Sequence, residues 1–180
     1  MKRTFSLLTL LVVTYLAALP QWAIAEPIPE YEMKAAYLYN FAIFTEWPDS
    51  VLKNTSANTV RVCILGNDNF GDSLTNLTRA RSNGVRIQLS YLADIKNVSN
   101  CQILFVDGSE LKNAEFILKE LENKPILTVS DSEELFRAGL MVGMFLDNKR
   151  LAFDVNYIQT NRVKLMISSK LLRMARLVTK

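Results

Sequence analysis

Gln102-Ile103-Leu104-Phe105-Val106-Asp107-Gly108-Ser109 is a short, almost wholly apolar run that ends in a turn. Apolar residues on consecutive positions, rather than on every second one, leave no side of the segment suited to water. Such a run reads as a strand covered on both faces, the habit of parallel sheets. After it, Asp107-Gly108-Ser109 makes the turn, with Ser109 as candidate cap for a helix over residues 110–122. Downstream the pattern gives a strand over 125–129 and an acid-rich helix start over 131–136, the charge that a helix dipole favours there. A hairpin follows, with strands over 140–146 and 151–155 joined by Asp147-Asn148-Lys149-Arg150. Two helices close the chain, over 157–163 and 168–177, the second behind a Ser168-Ser169 cap. Upstream, strands over 60–65 and 85–91 flank a helix over 70–78. Strands alternating with helices predict an α/β fold: a single three-layer domain, its mainly parallel sheet flanked by helices, with a C-terminal β-hairpin at one edge and closing helices.

Before the sheet comes a helix of unusual composition. From Tyr31 onward, Met33, Ala36, Tyr37, Asn40, Phe41 and Phe44 recur at spacings of three and four, which predicts one buried stripe. Trp47-Pro48 ends it, because a residue preceding proline is pushed out of the helical region. Leu38 and Ile43 fall off the stripe. A helix apolar on more than one face is deeply buried or meets a partner. Tyr39, Ile43, Phe44 and Trp47 are therefore candidate partner contacts, and Asn40 needs a hydrogen-bond partner if buried.

The first 25 residues read as an export signal. Met1-Lys2-Arg3 is basic, residues 5–19 are apolar, and Ala23-Ile24-Ala25 offers the small residues of a cleavage position. The apolar run is shorter than the roughly 20 residues a membrane-spanning helix needs. One domain is expected over residues 26–180. The sequence holds no His, which removes Ser-His-Asp and Cys-His catalysis and His-ligated metals. Its two cysteines, Cys63 and Cys101, are too few for a four-thiolate zinc site. In an oxidising compartment they read as one disulfide, with two buried free thiols as the alternative. If strands 60–65 and 102–106 are neighbours, the two sulfurs come within bonding reach.

Formal net charge is +3. From Lys149 to Lys180 the chain carries eight basic residues (Lys149, Arg150, Arg162, Lys164, Lys170, Arg173, Arg176, Lys180) against one acid, Asp154. A basic end suits an acidic partner surface or lipid headgroups; solvated helix faces are the plainer reading. Nucleic acid fits poorly, because no aromatics interleave with the last basic residues. No catalytic constellation emerges. Gly66 to Gly71 lacks the dinucleotide fingerprint and the lysine of a phosphate loop. Glu133-Glu134 belongs to a helix start, and Asp107 to a turn at a strand end where α/β sites often lie. No cofactor or metal is expected, and the residues point to a binding protein.

Two motifs carry a resemblance. Lys34-Ala35-Ala36-Tyr37-Leu38-Tyr39-Asn40-Phe41-Ala42-Ile43-Phe44-Thr45-Glu46-Trp47-Pro48 resembles the opening motif of the YfiR/HmsC family of bacterial periplasmic proteins. Phe153-Asp154-Val155-Asn156, followed by Leu165-Met166-Ile167-Ser168-Ser169-Lys170-Leu171-Leu172-Arg173-Met174-Ala175, is similar to the family's closing pattern. The resemblance implies a repressor that binds the periplasmic sensor portion of an inner-membrane diguanylate cyclase, lowering cyclic di-GMP and biofilm formation. It also implies a homodimer and a disulfide at the position of Cys63 and Cys101. A second cysteine pair of some members is absent, and Ala138-Gly139 stands where the family often has two glycines. Expected contacts are Tyr39, Ile43, Phe44 and Trp47 together with Arg162, Lys164, Lys170 and Arg173; Asn40, Asn156, Ser168 and Ser169 are expected to support the motif structurally. A periplasmic small-ligand-binding protein is the alternative.

Overall fold

The computed structural model describes residues 28–52, 58–79, 84–148 and 150–179. The expected signal segment, Lys149 and Lys180 lie outside them. The chain runs α1 (Glu30–Phe44), β1 (Thr45–Glu46), α2 (Asp49–Leu52), β2 (Thr59–Leu65), α3 (Asp72–Arg79) and β3 (Arg86–Leu92), then a 3₁₀ segment (Ile95–Asn100) and β4 (Ile103–Val106). A second 3₁₀ segment (Gly108–Asn113) leads into α4 (Ala114–Leu121), β5 (Leu127–Ser130), α5 (Glu133–Ala138), β6 (Val142–Asp147) and β7 (Arg150–Asn156). The chain closes with α6 (Tyr157–Arg162), β8 (Met166–Ile167), α7 (Ser169–Met174) and β9 (Leu177–Thr179).

Among the described residues one sheet has the order β3-β2-β4-β5-β6-β7-β9. Its first five strands are parallel, β7 turns back against β6, and β9 runs parallel to β7. The expected α/β fold with a mainly parallel sheet is thus present. The hairpin, however, is not the edge: β9 pairs outside it, Asp154 opposite Leu177 and Asn156 opposite Thr179. Residues 168–177, read as one helix, divide into α7 and β9. A salt bridge explains the division. The Arg176 guanidinium donates from Nε and Nη2 to both Asp154 carboxylate oxygens, at 2.9 and 2.6 Å, while its backbone N–H donates to Phe153 O. A bidentate pair of this kind fixes direction as well as distance.

Strand alternation sorts the side chains into two cores. Val62, Ile64, Ile103, Phe105, Leu127 and Val129 face the layer of α1, α3 and α7. Cys63, Leu65, Leu104 and Val106 face Ile95, Val98, Ile117, Leu121 and Leu135 on the opposite side. Each fully buried aliphatic or aromatic side chain stabilises by about 1.5–3 kcal/mol. The first helix is out of phase with its expected stripe. Its buried residues are Lys34, Ala35, Leu38, Phe41 and Ala42, whereas Ala36 is exposed and Met33, Tyr37, Asn40 and Phe44 are half-buried. At about 100° per residue the real core face is turned by roughly a third of a turn from the predicted one. Apolar residues surround this helix so evenly that the sequence period carries little phase information.

Capping differs from expectation at one place. Asp107, not Ser109, caps the turn after β4, its Oδ1 accepting from Ser109 N at 2.9 Å and its Oδ2 from Asn69 Nδ2 at 2.9 Å. Gly66 (φ +92°) lets the β2 turn press against it; a Cβ there would stand 2.8 Å from Ser109 Oγ. Ser168 caps α7, its Oγ accepting from Lys170 N, and Asn156 caps α6, its Oδ1 accepting from Gln159 N. Ser169 is the first, exposed residue of α7.

Cys63 of β2 and Cys101, two residues before β4, form a disulfide with Cα atoms 5.9 Å apart and a sequence separation of 38. Constraining a loop of that length in the unfolded chain stabilises by about 3–4 kcal/mol. Replacing both cysteines with Ala should lower the unfolding free energy by at least that much in urea titration, because two buried sulfurs also leave the core. A loss below about 1 kcal/mol would rule out the linkage as a principal support.

Candidate functional site

A segment early in the chain and one late in it meet in a second, two-stranded ribbon. Thr45 pairs with Ile167 and Glu46 with Met166, antiparallel, and Ser168 N donates to Phe44 O at 2.9 Å. The ribbon continues α1 at one end and leads into α7 at the other, so the two helices come to lie side by side. Lys170 Nζ stands 4.8 Å from the centre of the Phe44 ring. Four residues further along α7, Met174 faces Met33, Ala36, Tyr37 and Asn40 of α1 across a groove of about 320 Å³, with Leu151 at its floor. Tyr37 holds that floor by donating its hydroxyl to Leu151 O at 3.2 Å.

Lys170, Arg173 and Met174 share the outer face of α7, as spacings of three and four require. The resulting strip is largely apolar, with Met174 54% exposed, and cationic along one side. Asn40 lines it half-buried. By helical spacing Tyr39 and Ile43, both half-buried, border it on the open flank of α1. The remaining candidates fall elsewhere. Trp47 is withdrawn, its indole N–H donating to Gln102 O at 3.2 Å inside the core. Arg162 lines a separate recess beside Leu118 and Gly139. Lys164 occupies an exposed turn with φ +61°. Arg176, counted with the basic end by composition, is tied to Asp154. Helical spacing groups Met33 with Ala36, Tyr37 and Asn40, but nothing local joins Met174 or Leu151 to them, because the link is the ribbon, a long-range pairing.

At the carboxyl ends of β4 and β5, where open α/β sheets commonly receive ligands, the chain's own first helix is seated. Tyr31 packs edge-on against Phe70 with ring centres 5.2 Å apart and donates to Asp131 Oδ2 at 3.2 Å. Lys34 Nζ donates to the same oxygen at 2.7 Å, reaches Glu30 at 2.6 Å, and lies 4.2 Å from the Tyr31 ring centre. Burial draws the Lys34 ammonium down, but its hydrogen bonds to Asp131 and Glu30 outweigh that, and its pKa is raised above the ordinary 10.5. Burial, then the Asp131 charge, pushes the Tyr31 hydroxyl up. Among the described residues no three Asp, Glu or Cys side chains gather as a metal site, and no helix is long and apolar enough to cross a membrane.

The sequence profile described as YfiR/HmsC-like matches residues 31–176. No curated protein matches the chain significantly. Among solved structures, the chain is similar to a conserved domain protein from Vibrio cholerae O1 biovar El Tor, with 9% identity and a TM-score of 0.52 over 84% of this chain and 61% of that one. It is also similar to the ABC domain in complex with L-Trp from Streptococcus pneumonia, with 8% identity and a TM-score of 0.49 over 72% of this chain and 58% of that one. The chain thus spans about three fifths of the length of each. The first likeness shows the fold alone, and the second is too loose to add to it.

The Lys34 side chain is 4% exposed and Asp131 13%, so Lys34→Met strands a carboxylate and should cost about 3 kcal/mol in urea titration. A raised lysine pKa means its stabilisation is complete below about pH 10.5, the unfolded value, and fades as pH rises through the folded one. The gap between wild type and Lys34→Met should therefore hold from neutrality to about pH 10 and narrow above it. A gap that widens with alkalinity would refute the assignment.

Proposed function

The chain belongs to the YfiR/HmsC-like family, and from that membership we propose that it represses an inner-membrane diguanylate cyclase by binding the cyclase's periplasmic sensor domain. The family consists of periplasmic regulators of diguanylate cyclases rather than enzymes. In this reading residues 1–25 are a cleaved export signal, residues 26–180 form the regulatory domain, and the domain acts as a homodimer. The buried Cys63–Cys101 disulfide supports residence in an oxidising compartment.

The observation that carries the reading is the α1–α7 strip. The ribbon draws the two halves of the family pattern into one surface, apolar at Ala36 and Met174, with half-buried Met33 beside them, and basic at Lys170 and Arg173. Exposed apolar surface rimmed by charge is the usual make-up of a protein-binding face. Phe44 lies on this face beside Lys170 and Tyr39 and Ile43 border it on the flank of α1, whereas Trp47 supports it from within. Arg162 and Lys164 are peripheral to it.

Deleting the gene should raise cellular cyclic di-GMP; no rise under any growth condition would sink the repressor reading. In the chromosomal copy, Lys170→Glu with Arg173→Glu should reproduce most of that rise. Both side chains are exposed, so the purified double variant should keep its melting temperature to within about 2 °C. Repression at wild-type strength with both charges reversed would place the contact elsewhere.

A further inference from the structure

A second site lies at the opposite end of the sheet, against the amino ends of β2, β4 and β5. A cavity of about 470 Å³ opens there, within the range of small-ligand pockets. Arg61 of β2 crosses its wall. The guanidinium donates from Nη1 to Asn100 O at 3.4 Å and from Nη2 to Gln88 Oε1 at 3.2 Å, so the side chain is held in place before any ligand arrives. Gln102, buried at the back, receives Arg61 N on its Oε1 at 2.8 Å. Lys124 enters from the turn after α4, paired only loosely with Glu120 at 3.8 Å. Val51 and Ile126 supply an apolar floor, and Cys101, locked to Cys63, keeps the Asn100 wall from moving.

The charge balance decides the ligand. Among the described residues that line the cavity there are two cations and several amides and hydroxyls, and no carboxylate. The C-terminus of α4 points its negative dipole end toward the same region, which opposes an anion. That end is equivalent to about half a charge and acts only over its last turn, against the Arg61 guanidinium, whose partners Asn100 O and Gln88 Oε1 are neutral, and Lys124, which shares part of its charge with Glu120.

We propose that this cavity binds a small organic anion, a carboxylate or phosphate head on a compact apolar body, with Arg61 and Lys124 holding the head and Val51 and Ile126 the body. The site is separate from the α1–α7 strip, and its occupancy can be measured without a partner protein.

Benzoate and phenyl phosphate serve as probes, with benzamide as the neutral analogue, titrated into the purified disulfide-bonded protein and followed by amide chemical shifts. Both anions should saturate, with shifts centred on Arg61, Asn100, Gln102 and Lys124, and benzamide should bind at least about tenfold more weakly. Arg61→Gln should weaken both anions about tenfold or more and Lys124→Gln by a smaller factor, without moving the shifts elsewhere. Lys124 lies in a turn outside the strands, so its variant decides the matter if Arg61→Gln does not fold. Benzamide binding as tightly as benzoate would overturn the proposal. So would affinity unchanged in Lys124→Gln, shifts centred outside this cavity, or no saturation at tens of millimolar.

Discussion

Strands β4 and β5 have no side that tolerates water, and this constraint orders everything around them. All four residues of β4 and all four of β5 are buried, so the sheet must carry a layer on each face. One layer arises locally, since the 3₁₀ segment before β4, α4 and α5 each follow or precede the strand they cover and pack on Cys63, Leu65 and Leu104. The other face depends on α1, which precedes the seven-stranded sheet in the chain and is joined directly to none of its strands. Leu38 and Phe41 supply its core contacts. Hydrophobic burial is non-directional, and an evenly apolar helix is free to rotate about its axis or slide. Its placement needs directional anchors.

The anchors lie at the two ends of the helix. At its start, Lys34 and Tyr31 hold Asp131 at the mouth of β5. At its end, the β1–β8 ribbon and the Ser168–Phe44 hydrogen bond tie it to the last part of the chain. The lysine is the more unusual device, a charge placed on the core side of a helix and satisfied there by two carboxylates. It also seats the chain itself where many α/β proteins place a ligand.

The strip follows from this fastening. Once the ribbon aligns α7 with α1, the residues left over from packing face outward together: Ala36 and Asn40 from one helix, Lys170, Arg173 and Met174 from the other. Of the predicted stripe of Met33, Ala36, Tyr37, Asn40, Phe41 and Phe44, Phe41 is in the core, whereas Met33, Ala36, Tyr37 and Asn40 line this outer groove; which apolar stripe turns inward is not written in the helix. Likewise Arg176 looked like part of a basic end until Asp154, 22 residues earlier, claimed it.

What the sequence alone determined is the local chemistry and its order. The apolar run at 102–106 required a doubly covered strand, alternation of strands and helices required a mainly parallel α/β sheet, and Cys63 of β2 met Cys101, just before β4, as expected. These follow from side-chain period and backbone propensity, which act over a few residues. Tertiary structure alone decided the phase of α1, the capping of the β4 turn by Asp107, the edge strand β9, and the ribbon joining Thr45–Glu46 to Met166–Ile167. Each is settled by a contact between residues far apart in the chain, and a short segment such as β8 has too few residues to show a period of its own.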